Sequence, residues 1–245
     1  MPGQPPVAMA PIVLVAGAWL GGWCWRRVIP FLRVAGYDVY TPTLTGLGER
    51  RHLAHPDIDL DTHVQDVVNV LEVEDLVGVV LVGHSYSGMV ISGVAERCAE
   101  RLAHLVYVDA SVPQDGESMF GKGPSEFREF VEADARARGD GWRWPLPDFE
   151  ELSRFASLAG VTDADLHWFR SNATPQPLKT LTQPLRIANP HAAALPRTYI
   201  ECTDPLPERL RNSGTWRYHK LATGHWPMLS TPKQLAALIM DAASQ

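Results

Sequence analysis

The chain has 245 residues, 45% of them apolar, and a net charge of −6 at pH 7. This length suits one large α/β domain or a domain with an insertion, and the apolar share is enough for a sizeable core. The acidic balance offers no basic surface to nucleic acid or an anionic membrane, and no apolar run approaches a membrane span, so neither is expected as a partner.

Residues 1–11 hold four prolines and no basic residue, which reads as a flexible tail rather than a secretory signal. Ile12–Val15 is a short β-branched run, read as a central strand, and a small-residue loop, Ala16–Gly22, follows it. Trp25, Val28, Ile29 and Leu32 have helical spacing, so a helix is expected over 25–35, with Gly36 as its C-terminal cap. Tyr37–Thr41 reads as a strand and 42–55 as loop. Asp61 is placed to cap a helix over 62–73, with Val64, Val67, Val68 and Leu71 on one face. Val79–Val82 is a buried-strand run that Gly83 ends, and a helical pattern begins at once and lasts to about Cys98. Leu102–Val108 is the next strand, ending at Asp109.

This alternation of strand and helix predicts a mostly parallel sheet covered on both faces. It breaks after Asp109. Between Val112 and Pro196 no strand pattern is visible, and helical pieces are expected over 125–138, 149–159 and 163–171. The strand pattern resumes at 197–202 and 216–221, and an amphipathic helix over 231–243 closes the chain. The expected organisation is therefore an α/β core, residues 12–111 and 197–245, with 112–196 inserted as a helical cap.

A buried strand that turns sharply into a helix lifts the residue at the bend out of the sheet. Here that residue is Ser85, in Gly83-His84-Ser85-Tyr86-Ser87-Gly88. The geometry is that of a nucleophile elbow, although Ser87 stands where the G-x-S-x-G pattern has its second glycine. A serine needs a base, and the base needs an orienting acid. His225 lies just past the last strand, and loops that follow parallel strands share one edge of the sheet, so Ser85 and His225 are expected to meet there. Asp109 and Asp204 each end a strand on the same edge, and either can serve as the acid, with Asp109 slightly favoured. The Tyr86 N–H and the Ala18 N–H, from the loop after the first strand, are the expected oxyanion donors.

Four stretches carry a family resemblance: Val15–Trp25, Thr43–Arg50, Gly83–Tyr86 and Gly224–Leu229. In them the chain resembles the α/β-hydrolases of the plant methylesterase and hydroxynitrile lyase branch and their bacterial esterase relatives. The resemblance spans nearly the whole chain outside the cap. It implies an α/β-hydrolase fold, a Ser–His–acid triad with Ser85 and His225, and oxyanion donors at Ala18 and Tyr86. Three departures stand out. The family's first loop usually opens His-Gly, where this chain has Ala16-Gly17. The elbow carries Ser87 for glycine. Asp204 directly follows Cys202-Thr203, one residue nearer than the family's usual acid. The lyases of the branch carry lysine directly after the catalytic histidine, and Trp226 stands there instead, which weighs against cyanohydrin cleavage.

The chain has eight tryptophans. Trp19, Trp144, Trp168 and Trp226 are candidates to line an apolar substrate pocket, against the simpler reading as core packing. His52, His55, Asp57, Asp59, Asp61 and His63 fit no regular zinc spacing and read as a solvated loop entering an acidic helix start. Arg128, Arg136, Arg138 and Arg143 read as a solvated helix face. Cys24, Cys98 and Cys202 are scattered and odd in number, which predicts a reducing, cytoplasmic setting. The expected activity is hydrolysis of a small hydrophobic carboxylic ester or lactone without cofactor or metal. A lyase or ring-forming enzyme using the same Ser–His pair, and a non-catalytic small-molecule receptor, are the alternatives. The sequence leaves the oligomeric state open.

Overall fold

The computed structural model describes residues 9–211 and 215–244. Along the first half run β1 (Ile12–Val15), α1 (Ile29–Val34), β2 (Val39–Tyr40), α2 (Leu60–Val73), β3 (Val79–His84), α3 (Ser87–Cys98) and β4 (Leu102–Val108). After them come α4 (Ser125–Arg138), β5 (Arg143–Trp144), α5 (Asp163–Asn172), β6 (Gln176–Pro177), β7 (Arg197–Glu201), β8 (Trp216–Lys220) and α6 (Pro232–Ala243).

Six strands pair in parallel in the order β2-β1-β3-β4-β7-β8. Every residue of β1 and β3 is buried, and in β4 all but Ala103. Both faces of these strands are covered, which is why they read as continuous Val, Ile and Leu rather than alternating polar and apolar. α3 packs on β3 and β4 with α2 against it, and α6 crosses the same two strands and packs against α1. This is the parallel sheet flanked by helices that the alternation of elements predicts.

The register decides where the chemistry emerges. Val15 pairs with Gly83, His84 with Val108, and Val108 with Ile200. The strands therefore end nearly level. The pairing runs one step further, with the Ser85 N–H on the Val108 carbonyl at 3.2 Å and the Asp109 N–H on the Ile200 carbonyl at 2.8 Å. Ser85, Asp109 and the turn after β7 thus leave the sheet side by side.

Several expectations need correction. The helix expected over 25–35 is two pieces, a 3-10 turn at Gly22–Arg27 and then α1. Pro30 has no N–H and so belongs in the first turn of a helix, which is where α1 holds it. Asp59, not Asp61, caps α2, and it does so reciprocally with Thr62. The loop 42–55 contains a 3-10 turn at Gly48–Leu53. The stretch 112–196 is not free of strands, because β5 and β6 pair antiparallel; two residues each are too few to show a period. The helix expected over 149–159 ends at Leu152. Beyond it, the Ser157 and Ala159 carbonyls accept the His225 and Gly224 N–H groups at 2.8 and 3.0 Å instead of continuing a helix. Of the tail expected over 1–11, residues 1–8 lie outside the described residues, and Pro11 already accepts the Val80 N–H at 2.9 Å.

Candidate active site

Ser85 sits at the bend between β3 and α3 with φ of 54°, the left-handed region that costs a side-chain-bearing residue energy. Asp109, at the end of β4, has φ of 44°, and Trp19, in the loop after β1, has φ of 65°. Backbone strain thus gathers at one rim, at the ends of three neighbouring strands. The approach of α3 to the segment after β4 depends on Gly88. A Cβ there would lie 1.9 Å from the Ser111 carbonyl oxygen. Ser87, at the position where glycine is the usual residue, donates its hydroxyl to the Ala16 carbonyl. Two of the three departures from the family pattern therefore touch. The serine in the elbow supplies a tether for the first loop, which has alanine where histidine is usual.

Ser85, His225 and Asp109 form one hydrogen-bonded chain. Asp109 Oδ2 lies 2.7 Å from His225 Nδ1, and Ser85 Oγ lies 2.8 Å from His225 Nε2. A carboxylate on Nδ1 requires the proton there, which leaves Nε2 to accept the serine hydroxyl proton. Asp109 Oδ1 also accepts the N–H groups of Cys202, Thr203 and Asp204 at 2.8–2.9 Å, and Oδ2 accepts the Thr203 hydroxyl at 2.6 Å. Burial pushes this carboxyl up, but the bonds from His225 and Thr203 outweigh burial and hold it at about 2.

The choice between the two aspartates is thereby decided by geometry. Asp204 makes no side-chain hydrogen bond to His225; its backbone N–H instead helps to hold Asp109. After β7 the chain turns so that three successive N–H groups converge on Asp109, and that turn leaves the Asp204 side chain at the pocket. Asp109, Asp204 and His225 do bring donor atoms within 4.8 Å of one another. Both oxygens of Asp109 and both nitrogens of His225 are already engaged, so the grouping is a triad with a flanking carboxylate, not an open cation site.

The histidine's loop is held from three sides. His84 Nε2 donates to the His225 carbonyl at 2.7 Å, and Ser157 and Ala159 take the two N–H groups noted above. His84 is buried against Trp25 and His225, and its other nitrogen has no partner. Burial, then the neighbouring His225 charge, lower its pKa to about 3, so it stays neutral. On the other side, Trp19 is fixed by its N–H on Gln176 Oε1 at 3.3 Å and its indole N–H on the Trp144 carbonyl at 3.1 Å. The β5–β6 pair thus braces the loop that carries Ala18. The Ala18 and Tyr86 N–H groups have no acceptor among the described residues, and both residues line the pocket beside Ser85. The Tyr86 hydroxyl is anchored on His63 Nδ1 at 3.0 Å, and His63 Nε2 on the Thr45 carbonyl at 3.0 Å. Thr45 and Arg50, in the second resemblance stretch, are bound to Asp66. That stretch is a brace under the site.

The pocket opens to solvent and, with the solvent at its mouth included, holds about 600 Å³ of empty space. Trp19, Trp144 and Trp226 line it as expected, joined by Phe127, Leu152 and Phe155. Trp168 does not. It packs edge-on against Trp23 at 4.8 Å, and the Arg26 and Arg27 guanidinium groups lie over it at 5.4 and 5.5 Å. α5 turns that face toward the first 3-10 turn, where Asp165 also pairs with Arg27. Sequence reasoning missed His84, Gln176 and Phe127. Only His84, adjoining the nucleophile, carried a signal. Arg128, Arg138 and Arg143 pair with Glu132, Asp134 and Asp140 on the surface.

The profile of the alpha/beta hydrolase family matches residues 12–238. The chain belongs to the alpha/beta hydrolase family. Among its relatives, the carbendazim hydrolyzing esterase of a Nocardioides strain is 39% identical over 243 residues, covering 93% of this chain and 97% of that one. The pyrethroid hydrolase of Sphingobium wenxiniae is 29% identical, covering 95% and 87%. An extracellular α/β-hydrolase from a Paenibacillus species superposes with a TM-score of 0.78 at 24% identity, over 95% of this chain and 98% of that one. The last comparison speaks to the fold: the six-stranded parallel sheet and its flanking helices match an α/β-hydrolase structure.

Proposed function

We propose that this α/β-hydrolase is a serine esterase that cleaves small, hydrophobic carboxylic esters, with residues 112–196 acting as the cap over its pocket. The observation that carries the proposal is the unbroken chain Asp109–His225–Ser85, with bonds of 2.7 and 2.8 Å. Ser85 Oγ attacks the ester carbonyl while His225 Nε2 takes its proton. Asp109, ionised at any physiological pH, holds the Nδ1 proton in place and stabilises the imidazolium. Charge develops on the former carbonyl oxygen, and the free N–H groups of Tyr86 and Ala18 receive it. His225 then protonates the departing alcohol. In the second half it activates water, which releases the acid from Ser85.

The pocket supports an aromatic or branched apolar group on the substrate. Trp19, Phe127, Trp144, Phe155 and Trp226 surround the space beside Ser85. The names of the two bacterial relatives, which hydrolyse carbendazim and pyrethroids, support substrates of this kind.

The test is covalent. A fluorophosphonate probe is expected to label Ser85, and a p-nitrophenyl ester to give a burst of one p-nitrophenol per active site before steady turnover. Turnover that survives Ser85→Ala would show that no acyl-enzyme forms and would overturn the proposal in favour of lyase-type acid–base chemistry.

A further inference from the structure

Trp19 follows the Ala18 oxyanion donor, and every one of its polar groups is taken by the inserted segment. Its main-chain N–H donates to Gln176 Oε1 at 3.3 Å and its indole N–H to the Trp144 carbonyl at 3.1 Å. Its carbonyl accepts the Thr174 N–H at 2.9 Å. The Thr174 hydroxyl oxygen accepts the Gly48 N–H at 2.9 Å, which seats this stretch on the core. Gln176 is fully buried, as is Thr180. Gln176 Nε2 donates to the Thr180 hydroxyl oxygen at 2.7 Å, and that hydroxyl donates its one proton to the Pro177 carbonyl at 2.5 Å. Thr180 can therefore only accept from Gln176. The amide has a single orientation, with Oε1 on Trp19.

The clamp holds a conformation that Trp19 would otherwise leave. Its φ of 65° lies in the left-handed region, which a bulky residue keeps only when its surroundings impose it. Relaxing that angle turns the Ala18–Trp19 peptide, and Ala18 moves with it. On the other side of Ala18, the Ser87 hydroxyl holds the Ala16 carbonyl. The Ala18 N–H thus sits between two anchors, one from the elbow and one from the inserted segment. An oxyanion donor works by being in place before charge develops, so whatever fixes these anchors bears on the rate. Gln176 does not line the pocket, so it fixes its anchor without touching a bound substrate there.

Building on the esterase reading above, we propose that Gln176 is a positioning residue for the oxyanion hole: it keeps Trp19 in its left-handed conformation and so aims the Ala18 N–H at the oxygen that becomes charged. Losing Gln176 then weakens binding of the tetrahedral state and leaves binding of the ground state alone, the pattern of a transition-state interaction.

Two ketones separate those states. Phenethyl trifluoromethyl ketone is attacked by Ser85 Oγ at its carbonyl carbon; the C=O π pair moves onto oxygen as the oxyanion, and the serine proton passes to His225 Nε2. Phenethyl methyl ketone has the same shape and binds without adding. In Gln176→Met, which keeps the side chain's length but not its amide, kcat on a p-nitrophenyl ester should fall about ten- to hundredfold with KM within about threefold. The calorimetric Kd of the trifluoromethyl ketone should rise by a similar factor, and that of the methyl ketone should change by less than about threefold. Thr180→Val leaves Gln176 in place but frees its amide, and should give a smaller loss, about three- to tenfold, in the same two quantities. It carries the test if Gln176→Met does not fold. Equal weakening of both ketones, or an unchanged Kd for the trifluoromethyl ketone, would make Gln176 a packing residue and overturn the proposal. Ser85→Ala, run alongside, should erase the trifluoromethyl ketone's advantage. An advantage that survives there sinks the esterase reading, whereas a Ser85-dependent adduct indifferent to Gln176 sinks only the role of Gln176.

Discussion

The rim at the ends of β1, β3 and β4 and the wall that faces it are built in different ways. At the rim, main-chain geometry does the positioning. Ser85 and Asp109 are held in left-handed conformations, three successive N–H groups converge on one carboxylate, and Gly88 meets a carbonyl where no Cβ fits. The wall is a set of side chains: Phe127 at the start of α4, Leu152 on a four-residue helical turn, Phe155 in the bend after it, and Trp144 on a two-residue strand. Main-chain geometry tolerates few residue types at each place, so it leaves a pattern of small residues and strand ends. Side-chain packing tolerates many, so it leaves none.

The largest effects should therefore come from the rim. Asp109→Asn is expected to lower kcat on a p-nitrophenyl ester by on the order of ten-thousandfold, because the amide favours the wrong tautomer of His225. Asp204→Asn should change it by less than about tenfold, because the Asp204 side chain makes no hydrogen bond to His225. Steady-state kinetics of the pair check this, and comparable losses in both would erase the distinction drawn between the two carboxylates.

Next is the tether between the departures. Ser87→Ala leaves the Ala16 carbonyl without its hydroxyl partner in a buried place. Unfolding by urea should show a loss of about 1–3 kcal/mol, and kcat should fall about tenfold with KM little changed, because the Ala18 donor loses its anchorage. A rise in KM alone would mean that the bond shapes binding rather than the oxyanion loop.

The wall should respond more weakly and in the other parameter. Trp144→Phe is expected to raise KM for an aryl ester by about three- to tenfold with kcat held within about twofold. Trp168→Phe should leave both constants alone and cost only stability, since that ring packs on Trp23 outside the pocket. An effect of Trp168→Phe on KM would put it back at the substrate.

An effect of a different kind is on stability with pH. Burial holds His84 at about 3 and His63 at about 4, against 6.5 for a free histidine. The unfolded chain then binds more protons than the folded one between those values. Stability should be full above pH 6.5 and decline as pH falls toward 4, before Asp109 adds a further loss on the way down to about 2. Urea midpoints at pH 7.5, 5.5 and 4.5 read the slope. His63→Gln should flatten it, and an unchanged slope would rule His63 out as a contributor.

What the sequence made legible follows the same division. Ser85 and His225 were recognisable because each follows a strand on the edge where parallel strands end. Asp109 and Asp204 were not separable, because both end neighbouring strands, and the direction of the turn at 202–204 leaves no mark in residue type. Trp168 was misplaced because a helix has two faces that accept an indole, one toward the pocket and one toward Trp23. β5 and β6 were invisible at two residues each, and Gln176, which holds the Trp19 N–H, lies in no motif.

The bonds from Gly224 and His225 to Ala159 and Ser157 carry one last consequence. They hinge the catalytic base to the same stretch of chain, 152–159, that supplies Leu152, Phe155 and Ala156 to the substrate's surroundings. Substrate scope and proton transfer are mechanically linked there. Remodelling that stretch to admit a bulkier acyl group will drag the imidazole with it, so libraries aimed at new substrates should spare 157–159 and vary Phe127 and Met119, which touch the ligand space from a different direction.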